Sequence, residues 1–492
     1  MSSEQMIDDR PNFILIFPDQ WRGDCLGYTG HPYVDTPFLD EMAGQGVTFT
    51  AAYSACPSCI ATRATMARGQ TPDSTGRIGY QDRVPWRYDK TMMTCLRDDG
   101  YQTINVGKTH FYPQRANMGF EINLTYDPQD HGEGLQSTYH EWLDRQTNGE
   151  IRDTTQEINS NSWVVHPWVH DEQLHPNTWN MQAALEQIER RDPTRPFFMQ
   201  IGFHRPHPPL DPPIENYRRF KDRDVGMPPV GDWAEKYDRP PTRTDCAEAH
   251  LPDHLTRDAR RGYFAQIQHL DYQIGRLLYF LGRQRLMDNT YVIFLADHGE
   301  MLGDHHLWRK TLGYEGSAKV PFVMRPPTGV EVPRDVTRDE PVAHMDLMPT
   351  LLELADVEIP DFVEGCSMVP LLRGEQPQWR EWMHGEHSSF MGTSHHFVTD
   401  GKEKFVWEAI EGEQQFFDLT TDPEETKNLI NDPAYAERVE LWRNRLIEVL
   451  AQRPDDGLTD GETLTPGNVL PQVRPELLEP MECCDGVTRP LQ

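Results

Sequence analysis

The sequence predicts an α/β protein in which a large, doubly wound, mostly parallel sheet is sandwiched by helices. Short apolar runs alternate with helical stretches through the first two-thirds of the 492 residues, an order typical of doubly wound sheets. The runs are apolar at most positions, as in parallel strands that helices cover on both faces. The predicted strands are Asn12 to Phe17, Gln102 to Val106, Phe197 to Phe203 and Tyr291 to Ala296.

The helical and C-terminal segments complete this prediction. Residues Phe264 to Leu281 repeat apolar side chains every three or four positions, which predicts a helix. Beyond residue 374, short strands separated by Asp-Gly and Glu-Gly turns precede a helix from about Ala434 to Ala451. We therefore predict a catalytic domain over residues 1–374 and a small C-terminal antiparallel sheet plus helix, with an extended tail, over residues 375–492. The C-terminal strands are predicted at His396 to Asp400, Lys404 to Ala409 and Gln415 to Leu419.

One long segment gives no periodic pattern. Residues Gln129 to Pro176 are rich in His, Trp, Asn and Asp. Irregular segments of this kind lie on the surface and often carry function. We therefore predict insertions over the sheet edge that face the substrate.

Charge and composition narrow the class of partner. The chain has 78 Asp and Glu against 47 Lys and Arg, a net charge of −31. Such a surface repels nucleic acid and anionic membranes, so neither is an expected partner. An anionic substrate would need a locally positive pocket. The sequence shows neither a signal peptide nor an apolar run of membrane-spanning length, which predicts a cytoplasmic location. The oligomeric state cannot be inferred from these features.

The eight cysteines do not suggest a disulfide framework. They are scattered, except for Cys56 with Cys59 and Cys483 with Cys484. Cys56 and Cys59 form a C-x-x-C pattern, but no second pair follows at zinc-finger spacing and no thioredoxin-like unit follows the motif. A redox or zinc role for this pair is therefore set aside.

Cys59 and Arg63 are predicted to lie one turn apart at the start of an amphipathic helix. Positions four apart share a helix face, and a helix N-terminus favours an anion. This is a poor place for a cysteine that only packs. The pair therefore predicts chemistry on a negatively charged group.

Oxygen and nitrogen ligands follow the first and the last of the predicted strands. Asp19 and Gln20 come just after the first strand, and Asp297 and His298 come directly after the last. Ligands bind at this end of the strands in doubly wound sheets. Two carboxylates, an amide oxygen and an imidazole can hold a hard divalent cation such as calcium. An isolated Asp at a strand end is more often a cap or turn residue.

Basic residues follow the other strands. If the strand before them continues, Lys108 and His110 point to the same side. Prolines fix φ and stiffen the loop that carries His207. Lys310 lies in a histidine-rich loop further along the chain. Each motif taken alone is also consistent with a surface residue or a cap.

Together and in this order, the motifs resemble the type I sulfatases of the alkaline phosphatase superfamily. The signature of that family is a cysteine, Pro or Ala at +2, a small hydroxyl residue, Arg at +4 and a short helix that ends in Gly. Cys56 does not fit this register. The matching residues are Cys59, Ala61, Thr62, Arg63 and Gly69. The resemblance spans about residues 12–450 and includes Lys310 to Gly316, Val320 to Phe322, His344 to Thr350 and Phe417 to Glu425.

The resemblance implies that a maturation enzyme oxidises Cys59 to formylglycine, whose aldehyde hydrates to a gem-diol. One hydroxyl, polarised by the metal, attacks sulfur and displaces the alcohol. The second hydroxyl then loses its proton and expels sulfate. A plain serine or cysteine has no second hydroxyl, which is why the modification matters.

The resemblance also assigns roles by position. Arg63 would stabilise the hydrate and the helix start, and His110 would deprotonate the gem-diol hydroxyl. Lys108 and Lys310 would hold the sulfate oxygens. His207 would contact sulfate and, with Lys310, protonate the leaving oxygen. One Ca²⁺ per chain, or alternatively Mg²⁺ or Mn²⁺, would be bound by Asp19, Gln20, Asp297, His298 and the modified Cys59.

Two positions depart from the family pattern. Many members have a second Asp where this chain has Gln20, so the metal site has one less negative charge and we expect a lower affinity for the metal. The residue at +2 is Ala61 rather than Pro, which bears on the maturation system that recognises Cys59. We expect an enzyme acting in the cytoplasm, before folding, to tolerate it.

Three other interpretations stay open at the sequence level. Phosphonate monoester or phosphodiester hydrolases of the same superfamily usually carry uncharged hydroxyl residues where this chain has Lys108 and His110, which favours sulfate monoesters here. A catalytically inactive homologue that binds sulfated glycans would lack catalytic residues, yet every expected position is filled. An unmodified Cys59 thiolate that binds metal would predict zinc.

The substrate class is predicted from two segments rich in aromatic residues and histidine. The segments Trp163 to His175 and His384 to His396 carry side chains that can stack on a sugar or hydrogen-bond to it. We therefore predict a sulfated carbohydrate as substrate, with aryl sulfates also turned over.

Overall fold

Strands and helices alternate along the chain as predicted. The structure is a computed structural model that describes residues 8–128, 136–153, 159–390 and 392–478, together with the backbone of 481–482 and 488–489. Its strands are β1 (Asn12–Asp19), β2 (Val47–Phe49), β3 (Ala52–Tyr53), β4 (Gln102–Gly107), β5 (Ile122–Thr125), β6 (Phe197–Pro206), β7 (Thr290–Leu295), β8 (Phe322–Arg325), β9 (Val336–Arg338), β10 (Val342–Ala343), β11 (Met383–Phe390), β12 (Thr393–Thr399), β13 (Glu403–Glu408), β14 (Gln414–Asp418), β15 (Met481–Glu482) and β16 (Thr488–Arg489). Its helices are α1 (Pro37–Gly44), α2 (Cys59–Arg68), α3 (Pro72–Thr75), α4 (Met92–Asp98), α5 (Thr138–Thr147), α6 (Pro176–Arg190), α7 (Ile214–Phe220), α8 (Asp253–Arg283), α9 (Glu315–Ala318), α10 (Leu347–Leu354), α11 (Val369–Leu372) and α12 (Ala436–Leu450).

The main sheet joins eight of these strands in the order β5-β4-β6-β1-β7-β8-β2-β9. Strands β5, β4, β6, β1 and β7 are parallel to one another, whereas β8 is antiparallel to both β7 and β2. Every residue of β1 from Phe13 to Asp19 is buried, which explains its continuous apolar run. The predicted α/β class and mostly parallel sheet are confirmed.

The longest helix extends further than its sequence pattern predicted. Helix α8 has 31 residues and begins eleven positions before Phe264. Ala259 and Tyr263 are buried about two turns and one turn, respectively, before the predicted stripe reaches Ile267. The buried stripe of the helix therefore starts at Ala259 and Tyr263, which the sequence pattern did not count as apolar positions.

Helix α2 is not amphipathic. Its residues from Cys59 to Ala67 are all buried, because it packs against α10 and the turn at residues 344–346 as well as against α3 and α4. It ends as predicted at Gly69, whose φ of 63° is in the left-handed region that glycine adopts without strain. The predicted boundaries hold, but the predicted exposed face is wrong.

The segment predicted as insertions, residues 129–176, contains a helix. Ser137 caps α5 through a hydrogen bond from the backbone N–H of His140. Tyr139 and Leu143, four positions apart, are its buried residues. Two apolar positions are too few to show a helical period. Residues 129–135 and 154–158 of this segment lie outside the described residues.

A second sheet follows the main sheet along the chain, with order β11-β12-β13-β14 and antiparallel pairing throughout. Its turns at Gly401 and Gly412 have φ near 84°, as the Asp-Gly and Glu-Gly pairs predicted. The sequence analysis missed β11, whose polar His and Ser residues hide its period. The boundary at residue 374 stays a prediction, and Cys483 and Cys484 lie outside the described residues.

The chain after α12 returns to the body of the protein through a buried ion pair. Arg453 donates from Nη1 and Nη2 to the two carboxylate oxygens of Glu386 at 2.8 and 2.9 Å. Burial would raise the pKa of Glu386, but the guanidinium holds it at about 2. The tail also pairs Ile78 with Gln472 through their backbones, at 3.1 Å.

Arg453→Met is expected to lower the free energy of unfolding by about 3–5 kcal/mol at pH 7, because it leaves a buried carboxylate unpaired. The folded-state pKa of Glu386 is below its ordinary value of 4.5. The stabilisation is therefore full above pH 4.5 and is lost as pH falls toward 2. Urea unfolding at pH 7 and pH 3 measures both effects. Arg218→Met, which breaks an exposed pair with Glu215, should cost about 1 kcal/mol or less; equal losses would contradict the prediction.

None of the described helices combines the length and the apolar character needed to cross a bilayer.

Candidate functional site

The predicted functional residues converge where the carboxyl ends of four strands meet the start of α2. Asp19 ends β1, and Cys59 is the first residue of α2. Lys108 follows β4 directly, and His207 follows β6. Asp297 lies two residues beyond β7. Parallel strands end at one edge of the sheet, so segments far apart in sequence deliver their side chains to one place.

A pocket of about 560 Å³ of empty space, including its open mouth, lies at this edge. Five of the predicted residues line it, and the other five lie in contact with these or with each other. Its lining residues are Cys59, Tyr80, Lys108, His110, Asn161, His207, Ala247, Arg309, Lys310, Thr311 and Phe390. The predicted residues outside this lining are Asp19, Gln20, Arg63, Asp297 and His298. Lys310 is half-buried, and the other nine are buried.

Four potential metal ligands form a compact cluster beside the pocket. Asp19, Cys59, Asp297 and His298 each place one ligand atom within 4.8 Å of all the others. The Nε2 atom of His298 lies 3.2 Å from Cys59 Sγ, 3.5 Å from Asp19 Oδ1 and 3.7 Å from Asp297 Oδ1. These separations suit a cation bound at 2.3–2.6 Å from its ligands.

The tautomer of His298 supports a cation at this position. Its Nδ1 lies 2.9 Å from the carbonyl oxygen of Gly299, an acceptor, so we assign the ring proton to Nδ1. The Nε2 lone pair then faces the carboxylates of Asp19 and Asp297. The Cys59 thiol can donate to this lone pair at 3.2 Å, and a cation bound among the same atoms would offset its repulsion with the two carboxylates. The donor set therefore fits a hard divalent ion.

Gln20 lies beside the ligand cluster, with its amide oxygen toward Lys310. Its Nε2 donates to the carboxylate of Glu300, which can only accept, so Oε1 points the other way. That Oε1 accepts a hydrogen bond from Lys310 Nζ at 2.6 Å. The backbone N–H of Gln20 donates to Asp297 Oδ1 at 3.0 Å. Glu300 therefore fixes the orientation of an amide whose backbone contacts the cluster.

Two buried cations balance the carboxylates. Arg63 donates from Nη2 to Asp297 Oδ2 at 2.9 Å and from Nη1 to the Lys108 carbonyl at 3.0 Å. Lys108 Nζ lies 2.6 Å from Asp19 Oδ2. Burial would raise the pKa of Asp19, but Lys108 and the neighbouring His207, His298 and Lys310 hold it well below its usual value. Burial, with the Asp19 carboxylate, raises the pKa of the Cys59 thiol to about 12, so the encoded side chain keeps its proton.

A lysine and a histidine pair on the opposite wall. Lys310 Nζ donates to His207 Nε2 at 2.8 Å, while His207 Nδ1 donates to the Pro208 carbonyl at 2.7 Å. Burial and the charge of Lys310 lower the pKa of His207 well below its usual value. The pair therefore carries one positive charge, held on Lys310, and one imidazole that accepts from it.

His204 forms a similar arrangement with the other lysine and was missed as a site residue. Its Nε2 donates to the Pro208 carbonyl at 3.0 Å, and its Nδ1 accepts from Lys108 at 3.2 Å. The same proline-rich motif contains both histidines, so the signal was present in the sequence. Only the fold shows that His204 is buried behind Lys108.

His110 lines the pocket, although the expected strand does not continue. Strand β4 ends at Gly107, with φ of 100°, and His110 itself has φ of 60°. The alternation argument for Lys108 and His110 is therefore wrong, because the turn after Gly107 directs both side chains to the pocket. The ring of His110 lies edge-on to Tyr80, with 6.2 Å between centroids.

The sequence analysis missed most of the outer pocket wall. Tyr80 and Phe390 pack edge to face with centroids 5.8 Å apart. Phe390 belongs to the segment 384–396 that was predicted to contact a sugar. The residues from 163 to 175, all described, contribute nothing to the pocket lining, whereas Asn161 just before them does.

Known families match this chain over most of its length. A family model described as Sulfatase matches residues 11–357, and one described as N-sulphoglucosamine sulphohydrolase, C-terminal, matches residues 303–452. An arylsulfatase of Clostridium perfringens is 40% identical over 472 residues, covering 93% of this chain and 98% of the relative. A choline-sulfatase of Rhizobium meliloti is 29% identical and covers 87% and 84%.

Solved structures share the fold. The phosphonate monoester hydrolase of Agrobacterium radiobacter superposes with a TM-score of 0.75 at 24% identity, covering 90% of this chain and 96% of the other. A protein solved with its substrate D-glucosamine-2-N,6-O-disulfate gives a TM-score of 0.72 at 20% identity, covering 91% and 99%. At these identities the likeness concerns the fold alone.

Proposed function

The chain belongs to the sulfatase family of the alkaline phosphatase superfamily and is a sulfuric ester hydrolase, and we propose that it cleaves sulfate monoesters with formylglycine at position 59 and a bound divalent cation. The observation that carries this proposal is the position of Cys59. It lies between a cluster of cation ligands and a pocket that holds two lysines. Sulfatases generally use formylglycine and a divalent metal, and both fit this arrangement.

We infer that the cation is Ca²⁺, with Mg²⁺ or Mn²⁺ as alternatives. Asp19, Gln20, Asp297 and His298 would hold it, and the modified residue 59 would complete the set. Carboxylate and amide oxygens suit hard ions, and one imidazole is compatible with them. When bound, the cation supplies Lewis-acid polarisation of an oxygen at residue 59. Arg63 holds Asp297 through Oδ2, while Oδ1 of the same carboxylate faces His298 Nε2.

The burial of Cys59 bears on when it is modified. Its side chain is 1% exposed, at the start of a helix that is buried on all sides. A maturation enzyme cannot reach this thiol in the folded protein. We therefore propose that oxidation to formylglycine precedes folding. The hydrated aldehyde would supply a nucleophilic hydroxyl and a second hydroxyl for release of sulfate.

The two lysines are placed to bind the sulfate group. Lys108 and Lys310 enter the pocket from the turn after β4 and from the loop after β7, and Cys59 shares the pocket lining with them. Both are hydrogen-bonded to a neutral imidazole, which orients the ammonium groups. Donors fixed in advance stabilise the charge that builds on the sulfuryl oxygens in the transition state. The charge of this pocket contrasts with the strongly acidic chain.

Proton transfer falls to His110 and to the pair of Lys310 with His207. His110 lines the pocket beside Cys59 and would accept the proton of the hydrate when sulfate is released. Lys310 shares its proton with His207 Nε2. This pair would protonate the oxygen of the departing alcohol. The Pro208 carbonyl, which binds His207 Nδ1, fixes the ring for that transfer.

Phosphonate monoester hydrolysis is the second candidate, because a hydrolase of that class has the same fold. Lys108 and His110 favour sulfate monoesters, because the phosphonate and phosphodiester hydrolases usually carry uncharged hydroxyl residues at these two positions. An inactive glycan-binding role has little support, because all catalytic positions are filled. Relatives include an arylsulfatase and a choline-sulfatase, and we propose sulfated carbohydrates and aryl sulfates as substrates here.

A substrate panel tests this proposal. Full-length protein made with a maturation enzyme and supplied with Ca²⁺ is assayed on p-nitrophenyl sulfate, on 2-, 3-, 4- and 6-O-sulfated monosaccharides, and on a p-nitrophenyl phosphonate monoester. We expect kcat/KM for the best sulfate ester to exceed that for the phosphonate by at least about tenfold. This ratio corresponds to about 1.4 kcal/mol of additional transition-state stabilisation for the sulfate ester. A phosphonate preference would support the second candidate, and no turnover of any ester would support the inactive role.

A further inference from the structure

One buried guanidinium in the pocket, that of Arg309, has no hydrogen-bond or ion-pair partner among the described residues. Seven described arginines are at least nine-tenths buried. Arg309 is the one among them whose side chain makes no hydrogen bond or ion pair with a described residue, and its Nε and Nη2 are both buried without an acceptor. The other six donate to carboxylate, carbonyl or amide oxygens: Arg22, Arg63, Arg77, Arg205, Arg260 and Arg325.

The backbone of Arg309 is held firmly. Its N–H donates to the Glu300 carboxylate, and its carbonyl accepts from the Met301 N–H at 2.7 Å. Its φ of 70° lies in the left-handed region, which a long side chain adopts at a cost. The next residue is Lys310, and the Arg309 side chain lines the same pocket. The position is therefore constrained although the guanidinium is unpaired.

The carboxylates of Glu300 and Asp245 lie near Arg309 but form no hydrogen bond or ion pair with its guanidinium. Glu300 already accepts from the N–H groups of Leu302 and Arg309 and from Gln20 Nε2. Asp245 accepts from Asn159 and pairs with Arg243 at 3.1 Å. The described pocket lining contains no carboxylate. A chain with 78 acidic residues thus places none of the described ones against this cation.

An unpaired buried charge is costly, so an anion from outside the chain is its expected partner. The lysines are engaged differently: Lys108 is 2.6 Å from Asp19, and Lys310 donates to Gln20 and His207. They lie next to Cys59, where the sulfate ester would bind. Arg309 is therefore available for a different group of the same substrate.

We propose that Arg309 binds a second anionic group, a carboxylate or a second sulfate, on the substrate whose sulfate ester is cleaved at residue 59. This inference rests on the proposed function and narrows its substrate class to sulfate esters that carry another anion. A guanidinium matches the planar oxygen pair of a carboxylate and also binds sulfate. Tyr80 and Phe390, edge to face at 5.8 Å, offer an aromatic wall for the sugar or aryl ring between the two anions.

The test compares phenyl sulfates that differ in one meta substituent: carboxylate, sulfonate or uncharged carboxamide. Wild-type full-length, matured protein with Ca²⁺ should show a higher kcat/KM for one or both anionic esters than for the carboxamide. Arg309→Met should lower that anion-to-carboxamide ratio by about 10- to 100-fold, the range expected for a charge-assisted hydrogen bond. Arg309→Lys should retain part of it. The anionic ester with the higher kcat/KM shows whether Arg309 prefers a carboxylate or a sulfate-like group.

Arg243→Gln is the matched control, because it removes a cation near Arg309 that is exposed and paired with Asp245. This variant should leave the ratio at its wild-type value. The inference is overturned if wild-type protein shows no anion preference, or if Arg309→Met lowers all three esters equally, which indicates a structural role. Absence of turnover of every ester by wild-type protein would instead refute the proposed function, and the inference with it.

Discussion

Cys59→Ser and Cys59→Ala are expected to lower kcat for p-nitrophenyl sulfate by at least about 1,000-fold. Alanine offers no nucleophile. Serine offers one hydroxyl, so it can attack sulfur but has no second hydroxyl to expel sulfate. Cys59→Ser should therefore stop after one turnover with a sulfo group on the protein. Intact-mass analysis measures the sulfo adduct, and it should also show wild-type Cys59 converted to formylglycine.

The matched control is Cys56→Ser. Cys56 is buried three residues earlier, and its carbonyl accepts the Thr62 hydroxyl at 2.8 Å. Its thiol is outside both the ligand cluster and the described pocket lining. This variant should keep most of the wild-type kcat. A Cys59→Ala variant as fast as the wild type would refute the mechanism.

Removal of the divalent cation is expected to have the second large effect. Chelation should lower kcat by at least about 100-fold, because polarisation by the metal supplies several kcal/mol to the transition state. It should also lower the melting temperature, since a ligand that binds only the folded state stabilises it. Metal analysis should find one ion per chain in active protein. Added Ca²⁺ should restore both activity and melting temperature.

Asp297→Asn separates this effect from a general loss of stability. The substitution keeps the volume of the side chain but removes a charge that faces both Arg63 and the ligand cluster. We expect Ca²⁺ to restore this variant poorly even at high concentration. The control Asp24→Asn changes a more exposed carboxylate that pairs with Arg22 and should respond to Ca²⁺ as the wild type does. Full activity of chelated wild-type protein would contradict the proposed metal requirement.

The ligand cluster was predictable because it depends on local rules. Asp19 and Asp297 come at or just after the ends of buried strands, and parallel strands end at one edge. Cys59 starts a helix that the sequence delimits through Gly69. The prediction for Lys108 and His110 reached the pocket by a wrong argument, because the turn at Gly107 replaces the assumed strand.

The rest of the pocket depends on contacts between distant parts of the chain. Tyr80 meets Phe390 across 310 positions, and nothing near either residue indicates the other. The unpaired guanidinium of Arg309 likewise depends on its surroundings in the fold, because the sequence does not distinguish a buried arginine from an exposed one. Helix α2 was predicted to be amphipathic because local pattern cannot show that α3, α4, α10 and a turn surround it.

The sequence by itself determined the α/β class and the strand ends that carry the potential metal ligands, which follow from local hydrophobic periodicity. Its resemblance to the sulfatase signature selected Cys59 over Cys56. Only the tertiary structure decided that His298 presents Nε2 to two carboxylates, that His204 supports Lys108, and that the guanidinium of Arg309 has no partner among the described residues. Those facts depend on which side chains meet after folding, and burial then sets the cost of each unpaired charge.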